Sequence, residues 1–136
     1  SRVIERMVEV AAATGWLWDP PRMVEAVNAR ESLHSTALDV GVALLHPRRP
    51  QSSILAQPFL AMGRTYQGIP FGGGGGRLTD IFFLILSTDD RGHLQTLARL
   101  SRCLGDVQFI EALRMAEDAE AAHGAIEAYE QAQFGA

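Results

Sequence analysis

The segment Asp80–Leu86 constrains the fold more than any other stretch of this sequence. Its residues are Asp-Ile-Phe-Phe-Leu-Ile-Leu, an apolar run with no polar alternation. Successive side chains of a strand point to opposite faces of the sheet, so this strand is apolar on both faces. Such strands are typical of the centre of a sheet that is covered on both sides. We therefore predict an α/β fold with this strand at the centre of a small sheet flanked by helices.

The flanking signals predict two helices, several strands and then three helices. Apolar residues at helical spacing predict a helix over residues 2–14, with Gly15 as its stop signal. Asp19-Pro20-Pro21 is typical of a helix start, because Asp caps the helix and proline fits the first turn. This second helix should run to about Ser32. The other predicted elements are strands at 38–45 and 53–62, the second at an edge or bulged because of Pro58, and helices at 94–104, 107–116 and 119–132.

The composition indicates one globular domain over residues 1–136, since 47% of the residues are hydrophobic and 21% are charged. A net charge of −4, with no basic cluster beyond Arg48-Arg49, argues against nucleic-acid binding. No apolar run approaches the roughly 18 residues of a membrane span. The single Cys103 excludes an internal disulfide and fits a reducing compartment such as the cytoplasm. Because the chain opens Ser1-Arg2-Val3, directly in a predicted helix, we expect a domain of a longer protein.

Five consecutive glycines, Gly72–Gly76, allow two interpretations. A phosphate-binding loop would need Lys-Ser/Thr next, followed by a helix whose N-terminus faces the phosphate. Here Arg77-Leu78-Thr79 and a predicted strand follow instead. The pattern therefore favours a flexible hairpin tip.

His46 is the best candidate for chemistry in this sequence. It ends the apolar run 38–45 and is followed by Pro47-Arg48-Arg49-Pro50, a strand that breaks into a loop. The carboxyl ends of strands are where α/β domains present reactive groups. From these residues alone the imidazole can be a base, a metal ligand or a nucleophile. A zinc site is disfavoured, because the four histidines have no clamp-like spacing and there is no Cys pair. We expect no metal and no cofactor.

The order of several motifs resembles the fructose/mannitol-type enzyme IIA domain of the bacterial phosphotransferase system. That family typically has Arg-Glu, Ser-Thr and a Gly-(Ile/Val)-Ala-(Ile/Val)-Pro-His strand. This chain has sixteen positions from Arg30 to His46, and Leu45 stands where the family has proline. The matching segments are Arg30-Glu31, Ser35-Thr36, Gly41-Val42-Ala43 leading to His46, Gly68-Ile69-Pro70-Phe71, Asp80–Leu86 and His93-Leu94-Gln95-Thr96-Leu97-Ala98-Arg99-Leu100.

The resemblance implies a small mixed sheet with the family's first strand lying before Ser1, and a phosphotransferase role. His46 would accept a phosphoryl group from an HPr-like phosphocarrier and pass it to a IIB-like domain. Arg30 would be the family's conserved arginine, and His93 its second active-site histidine. Ser35 and Thr36 would offer hydroxyl donors for phosphate, and main-chain donors would come from the helix after Arg91-Gly92. One alternative is a regulatory module of the same fold, attached to a transcription regulator or acting as a nitrogen-related sensor. Another is a degenerate domain that binds a partner and no longer accepts phosphate.

Overall fold

A computed structural model describes residues 2–72 and 77–135 of the chain. Within these residues the elements follow the predicted order of helices, strands and helices. The helices are α1 (Arg2–Ala12), α2 (Pro20–Leu33), α3 (Asp90–Leu104), α4 (Val107–Met115) and α5 (Ala119–Phe134). The strands are β1 (Val42–Leu45), β2 (Phe59–Ile69) and β3 (Thr79–Leu86).

The two predicted helix boundaries near the N-terminus are confirmed. Gly15, beyond the end of α1, has φ +82°, a left-handed conformation that glycine adopts without strain. The Asp19 side chain accepts a hydrogen bond from the Arg22 amide, and Pro20 opens α2. Both proline nitrogens therefore lie in the first turn, where an N–H group would have no intrahelical acceptor.

The sheet has the order β1-β3-β2 within the described part of the chain, so the prediction of a central β3 is confirmed. β3 pairs in parallel with β1, where Leu45 lies opposite Leu84. It pairs antiparallel with β2. β2 lies at the edge of the described sheet, as expected from Pro58, and its register is irregular between Arg64 and Ile69. The sheet is therefore mixed.

The predicted strand at 53–62 is wrong in its first half. Residues Ser52–Ile54 form a 3₁₀ turn. Leu17 and Leu55 form an isolated bridge, flanked by hydrogen bonds from the amides of Trp18 and Ala56. These bonds hold the segment against the α1–α2 connection, and the strand begins only after Pro58.

The predicted strand at 38–45 is also shorter than expected. Gly41 has φ +83°, and the Leu38 amide donates to the Val42 carbonyl at 2.7 Å. This tight turn folds residues 36–38 back along β1, with a bridge between Ala37 and Ala43. Only Val42–Leu45 pairs with β3.

Residues Ser1–Thr96 form one compact unit. In it α1 packs against β2, β3 and α2. The core joins buried side chains of these helices to alternate residues of the sheet: Ile4, Met7, Met23, Val27, Ala43, Leu45, Phe82, Leu84 and Leu86. The intervening residues Ile81, Phe83 and Ile85 of β3 are also no more than 1% exposed. The prediction that this strand is buried on both faces is confirmed.

Residues Leu97–Ala136 form a second compact unit, in which α4 and α5 pack together. Asp106 caps α4 and also accepts a hydrogen bond from the Tyr129 hydroxyl at 2.9 Å. α3 begins in the first unit and continues into the second. It begins four residues before the predicted start at Leu94, which is 65% exposed, whereas Leu100 and Leu104 are buried.

The glycine run gave rise to two expectations, a hairpin tip and, less favoured, a phosphate-binding loop. Gly73–Gly76 of the predicted hairpin tip lie outside the described residues, although β2 and β3 pair antiparallel on either side. The element after Arg77 and Leu78 is β3, not the helix that a phosphate-binding loop needs.

Over residues 2–72 and 77–135, no helix is both long and apolar enough to cross a membrane.

Candidate functional site

The parallel pairing of β1 and β3 brings the candidate residues to one edge of the sheet. Parallel strands end at the same edge, and His46 follows β1 directly, as Ser87 follows β3. His93 lies in the first turn of α3, which starts three residues after Ser87. The sheet therefore places the two histidines together, as the resemblance implied.

The ring of His46 is held by its own strand. Its Nδ1 lies 2.8 Å from the carbonyl oxygen of Leu44. A carbonyl oxygen can only accept, so Nδ1 carries the hydrogen and donates it. In the neutral ring the lone pair therefore lies on Nε2, which makes Nε2 the nucleophilic atom.

His93 stands beside His46. The two ring centroids are 4.9 Å apart and the ring planes are inclined by 46°. Nδ1 of His93 lies 3.3 Å from the hydroxyl oxygen of Ser87. Both rings thus have Nδ1 engaged by a group at the end of a strand, which leaves both Nε2 atoms for other contacts.

The surroundings favour neutral rings. Burial lowers the pKa of His46, and the nearby His93 and Arg30 lower this pKa further. The Leu44 carbonyl and the Glu31 carboxylate act in the opposite direction. Burial also lowers the pKa of His93, against a smaller upward effect of Asp90. At pH 7 both imidazoles are therefore mostly uncharged, and the neutral form is the one that a nucleophile needs.

Arg30 lies in the last turn of α2 and is half-buried. One of its terminal nitrogens, Nη1, donates to the carbonyl oxygen of His34 at 2.7 Å, which ties the side chain to the end of the helix. A guanidinium has five N–H donors, so this bond leaves several for a ligand. Its positive charge also lowers the pKa of His46, so the guanidinium lies near enough to act on that ring.

Ser35 and Thr36 are engaged within the chain. The Ser35 hydroxyl donates to the Phe71 carbonyl at 3.0 Å and accepts from the Ala37 amide. The Thr36 hydroxyl donates to Glu31 at 2.7 Å, and the Thr36 amide donates to the other carboxylate oxygen at 3.0 Å. Phosphate binding by these hydroxyls stays a prediction, and it would require each to give up its present acceptor.

Glu31 and Ser87 are site residues to which sequence reasoning assigned no role. Glu31 fixes the connection between α2 and β1 through Thr36, and the available signal in the sequence was its place directly after Arg30. Ser87 had a weaker signal, as a polar residue that follows a wholly apolar strand. Both act through other residues, which is why motif spacing alone does not reveal them.

The start of α3 differs from the expectation. The helix begins at Asp90, before Arg91-Gly92 rather than after them. Its Gly92 amide already donates to the Asp89 carboxylate at 2.6 Å, which caps the helix. One of the main-chain N–H groups that we expected to be available for phosphate is therefore already used.

Leu45, in the place where the resemblance has proline, is fully buried and pairs with Leu84. β1 therefore continues in register up to the residue before His46. The leucine side chain belongs to the core, and the histidine ring still reaches His93.

The two remaining histidines lie elsewhere. The exposed His34 contacts the Ser35 carbonyl, and the exposed His123 pairs with Glu127 at 3.1 Å in the second unit. Among residues 2–72 and 77–135, no group of three or more His, Cys, Asp or Glu side chains is arranged to hold a metal ion.

The chain is similar in sequence to one known protein family and to individual known proteins. The sequence profile of "Phosphoenolpyruvate-dependent sugar phosphotransferase system, EIIA 2" matches residues 1–129. The chain is 31% identical over 121 residues to the fructose-specific EIIABC component of the phosphotransferase system of Bacillus subtilis, covering 88% of this chain and 19% of that protein. It is 34% identical over 104 residues to a nitrogen regulatory protein of Bradyrhizobium diazoefficiens, covering 75% and 66% respectively. The chain thus spans about a fifth of one relative and about two thirds of the other.

The fold is shared with enzyme IIAMTL of Escherichia coli, whose structure was solved in a complex with phosphorylated enzyme IIBMTL. The TM-score is 0.79 at 19% sequence identity, covering 93% of this chain and 86% of that one. At this identity the likeness establishes the fold, so the α/β architecture with a mixed sheet is confirmed.

Proposed function

Because this chain belongs to the EIIA 2 family of the phosphoenolpyruvate-dependent sugar phosphotransferase system, we propose that His46 accepts a phosphoryl group from an HPr-like phosphocarrier. It then passes the group to a IIB-like domain. The observation that carries the assignment is the Nδ1 hydrogen bond to Leu44, which leaves Nε2 of a neutral imidazole as the nucleophile. The domain is thus a phosphotransferase component that forms a transient phosphohistidine.

The transfer needs little bond chemistry from the protein. The Nε2 lone pair of His46 forms a bond to phosphorus as the bond to the donor's histidine nitrogen breaks, and that nitrogen keeps the electron pair. His46 retains its hydrogen on Nδ1, so its ring gains positive character during the step. The Leu44 carbonyl, 2.8 Å away, stabilises that charge. The second transfer reverses these changes and restores the neutral ring.

Arg30 and His93 would meet the phosphoryl oxygens. Arg30 offers a planar set of donors that stays charged at all relevant pH values. His93, with its ring centroid 4.9 Å from that of His46, would supply a further N–H donor. Positioning and charge neutralisation are the main contributions that proteins make to phosphoryl transfer.

The partners follow from the same chemistry. The related enzyme IIAMTL binds phosphorylated enzyme IIBMTL, which supports a IIB-like acceptor here. The donor would be HPr or a relative, and a cytoplasmic location would give access to it. The buried free thiol of Cys103 is compatible with that reducing compartment.

The second candidate is a regulatory module, favoured by the 34% identity to a nitrogen regulatory protein. Here the phosphorylation state of His46 would be the signal, and no sugar would be phosphorylated. The encoding gene discriminates, because a permease or IIB segment supports transport, whereas a DNA-binding helix-turn-helix segment supports regulation.

The test is phosphorylation from labelled phosphoenolpyruvate by enzyme I and HPr. We expect acid-labile, base-stable label on the chain and transfer of that label to an added IIB domain. The His46→Ala variant should take up none, while His123→Ala, a control at an exposed histidine, should be labelled normally. Equal labelling of the two variants would refute the assignment of His46.

A further inference from the structure

Ser87 contacts His93, the second histidine of the site, at the end of the central strand. It is 4% exposed and follows the last residue of β3. Its hydroxyl oxygen lies 3.3 Å from Nδ1 of His93. The contact joins the end of the central strand to the first turn of α3.

The direction of this hydrogen bond follows from burial. Within the described residues, His93 Nδ1 is the hydrogen-bond partner of the Ser87 hydroxyl. If Nδ1 carried the hydrogen, the Ser87 proton would be buried without an acceptor, which destabilises the fold. With Ser87 as donor, Nδ1 accepts and the ring hydrogen lies on Nε2.

We propose that Ser87 is a positioning residue that holds His93 in the tautomer protonated on Nε2, so that this N–H donates to the phosphoryl group on His46. The inference deepens the proposed function and rests on it. It also explains why the two rings, whose centroids are 4.9 Å apart, have complementary roles. The Leu44 carbonyl keeps the lone pair on Nε2 of His46, and Ser87 keeps the hydrogen on Nε2 of His93. One ring is the acceptor of phosphorus and the other is a donor to its oxygens.

The direct test is ¹⁵N NMR of the histidine rings in the unphosphorylated chain. The unsubstituted protein should show His93 protonated on Nε2, and Ser87→Ala should shift the ring toward a mixture of tautomers. Ser87→Thr, which keeps the hydroxyl, should restore the original tautomer. Protonation of His93 on Nδ1 in the unsubstituted protein, or an unchanged tautomer in Ser87→Ala, would overturn the proposal.

The rate of labelling by phosphorylated HPr gives the functional readout. Loss of one oriented hydrogen bond should slow Ser87→Ala about fivefold, and Ser87→Thr should recover most of the rate. Thr79→Val is the matched control, because Thr79 is a buried hydroxyl residue at the opposite end of β3, with no partner for Oγ1 among the described residues. It should leave the tautomer and the rate unchanged, and an equal loss in both variants would contradict a specific role for Ser87.

The two proposals fail in different ways. If His46 takes up no phosphate, the proposed function is wrong, whatever tautomer His93 adopts. If labelling on His46 proceeds normally while Ser87→Ala changes neither tautomer nor rate, only the role of Ser87 is wrong.

Discussion

The imidazole rings of His46 and His93 lie with their centroids 4.9 Å apart, although 47 positions separate them in sequence. The parallel pairing of β1 with β3 produces this approach, because one histidine follows β1 and the other lies on the helix that follows β3. Each ring has its Nδ1 engaged, by Leu44 in one case and Ser87 in the other. Under the proposed function, Nε2 of His46 would be the nucleophile toward phosphorus and Nε2 of His93 a donor to the phosphoryl oxygens.

Arg30 should matter through its charge and its planar shape. Replacing it by Gln removes a charged donor, and we expect phosphorylation of His46 by HPr to slow by roughly 10- to 100-fold, the equivalent of about 1.5–3 kcal/mol. Arg30→Lys should recover only part of the loss, since an ammonium lacks the bidentate geometry. Arg22→Gln, at the exposed start of the same helix, is the control. A normal rate in Arg30→Gln would exclude Arg30 from the transfer.

The pH dependence of His46 should differ from that of a free histidine. Burial lowers its pKa, so more than half of the rings are neutral at pH 6.5, where an unperturbed imidazole is half protonated. An NMR titration of the ring Cε1–H should give a midpoint below 6.5. Labelling by pre-formed phosphorylated HPr should accordingly persist at pH 6.5. A midpoint at or above 6.5 would show that the Leu44 and Glu31 effects outweigh burial.

The same shift should reduce stability in acid. Because the folded ring has a lower pKa than the unfolded one, the unfolded chain binds more protons below about pH 6.5 and gains stability relative to the fold. The free energy of unfolding should therefore fall as pH decreases from 7.5 to 5.5. Urea denaturation should show a smaller fall for His46→Gln, which lacks this group. An equal fall in both proteins would contradict the predicted linkage.

Glu31 should be a structural residue of the site. Its carboxylate accepts from both the amide and the hydroxyl of Thr36. Glu31→Ala leaves these two donors of the buried Thr36 without their acceptor, and we expect a loss of about 2 kcal/mol in unfolding free energy. Glu25→Ala, at an exposed position of the same helix, should cost far less. Chemical denaturation of the two variants compares their stabilities directly. Equal denaturation midpoints would show that Glu31 does not have this structural role.

The sequence predicted the central strand and the helix order because both depend on local pattern. Asp80–Leu86 has no polar face, so its central position follows from burial alone. The Asp19-Pro20 start of α2 likewise depends on neighbouring residues. The true start of β2 could not be predicted in this way, because residues 54–56 are held by hydrogen bonds to the distant 16–18 segment. Tertiary contacts decide such segments, and a single sequence does not display them.

The site was predicted unevenly for a similar reason. The family motifs marked His46, His93 and Arg30, and the fold brings the two histidines together. The sequence did not predict that the hydroxyls of Ser35 and Thr36 already donate to Phe71 and Glu31, because these hydrogen bonds form only in the folded chain. The resemblance names the residues, whereas the hydrogen bonds that set each ring's tautomer are visible only in three dimensions.

The most direct measurement locates the phosphoryl group on the phosphorylated chain. Uniformly ¹⁵N-labelled protein, phosphorylated by enzyme I and HPr, would be examined by ³¹P and ¹⁵N NMR. A single phosphohistidine bonded through Nε2 of His46, with the hydrogen retained on Nδ1 beside Leu44, is the predicted result. Phosphate on Nδ1 of His46, or on any other residue, would contradict the account.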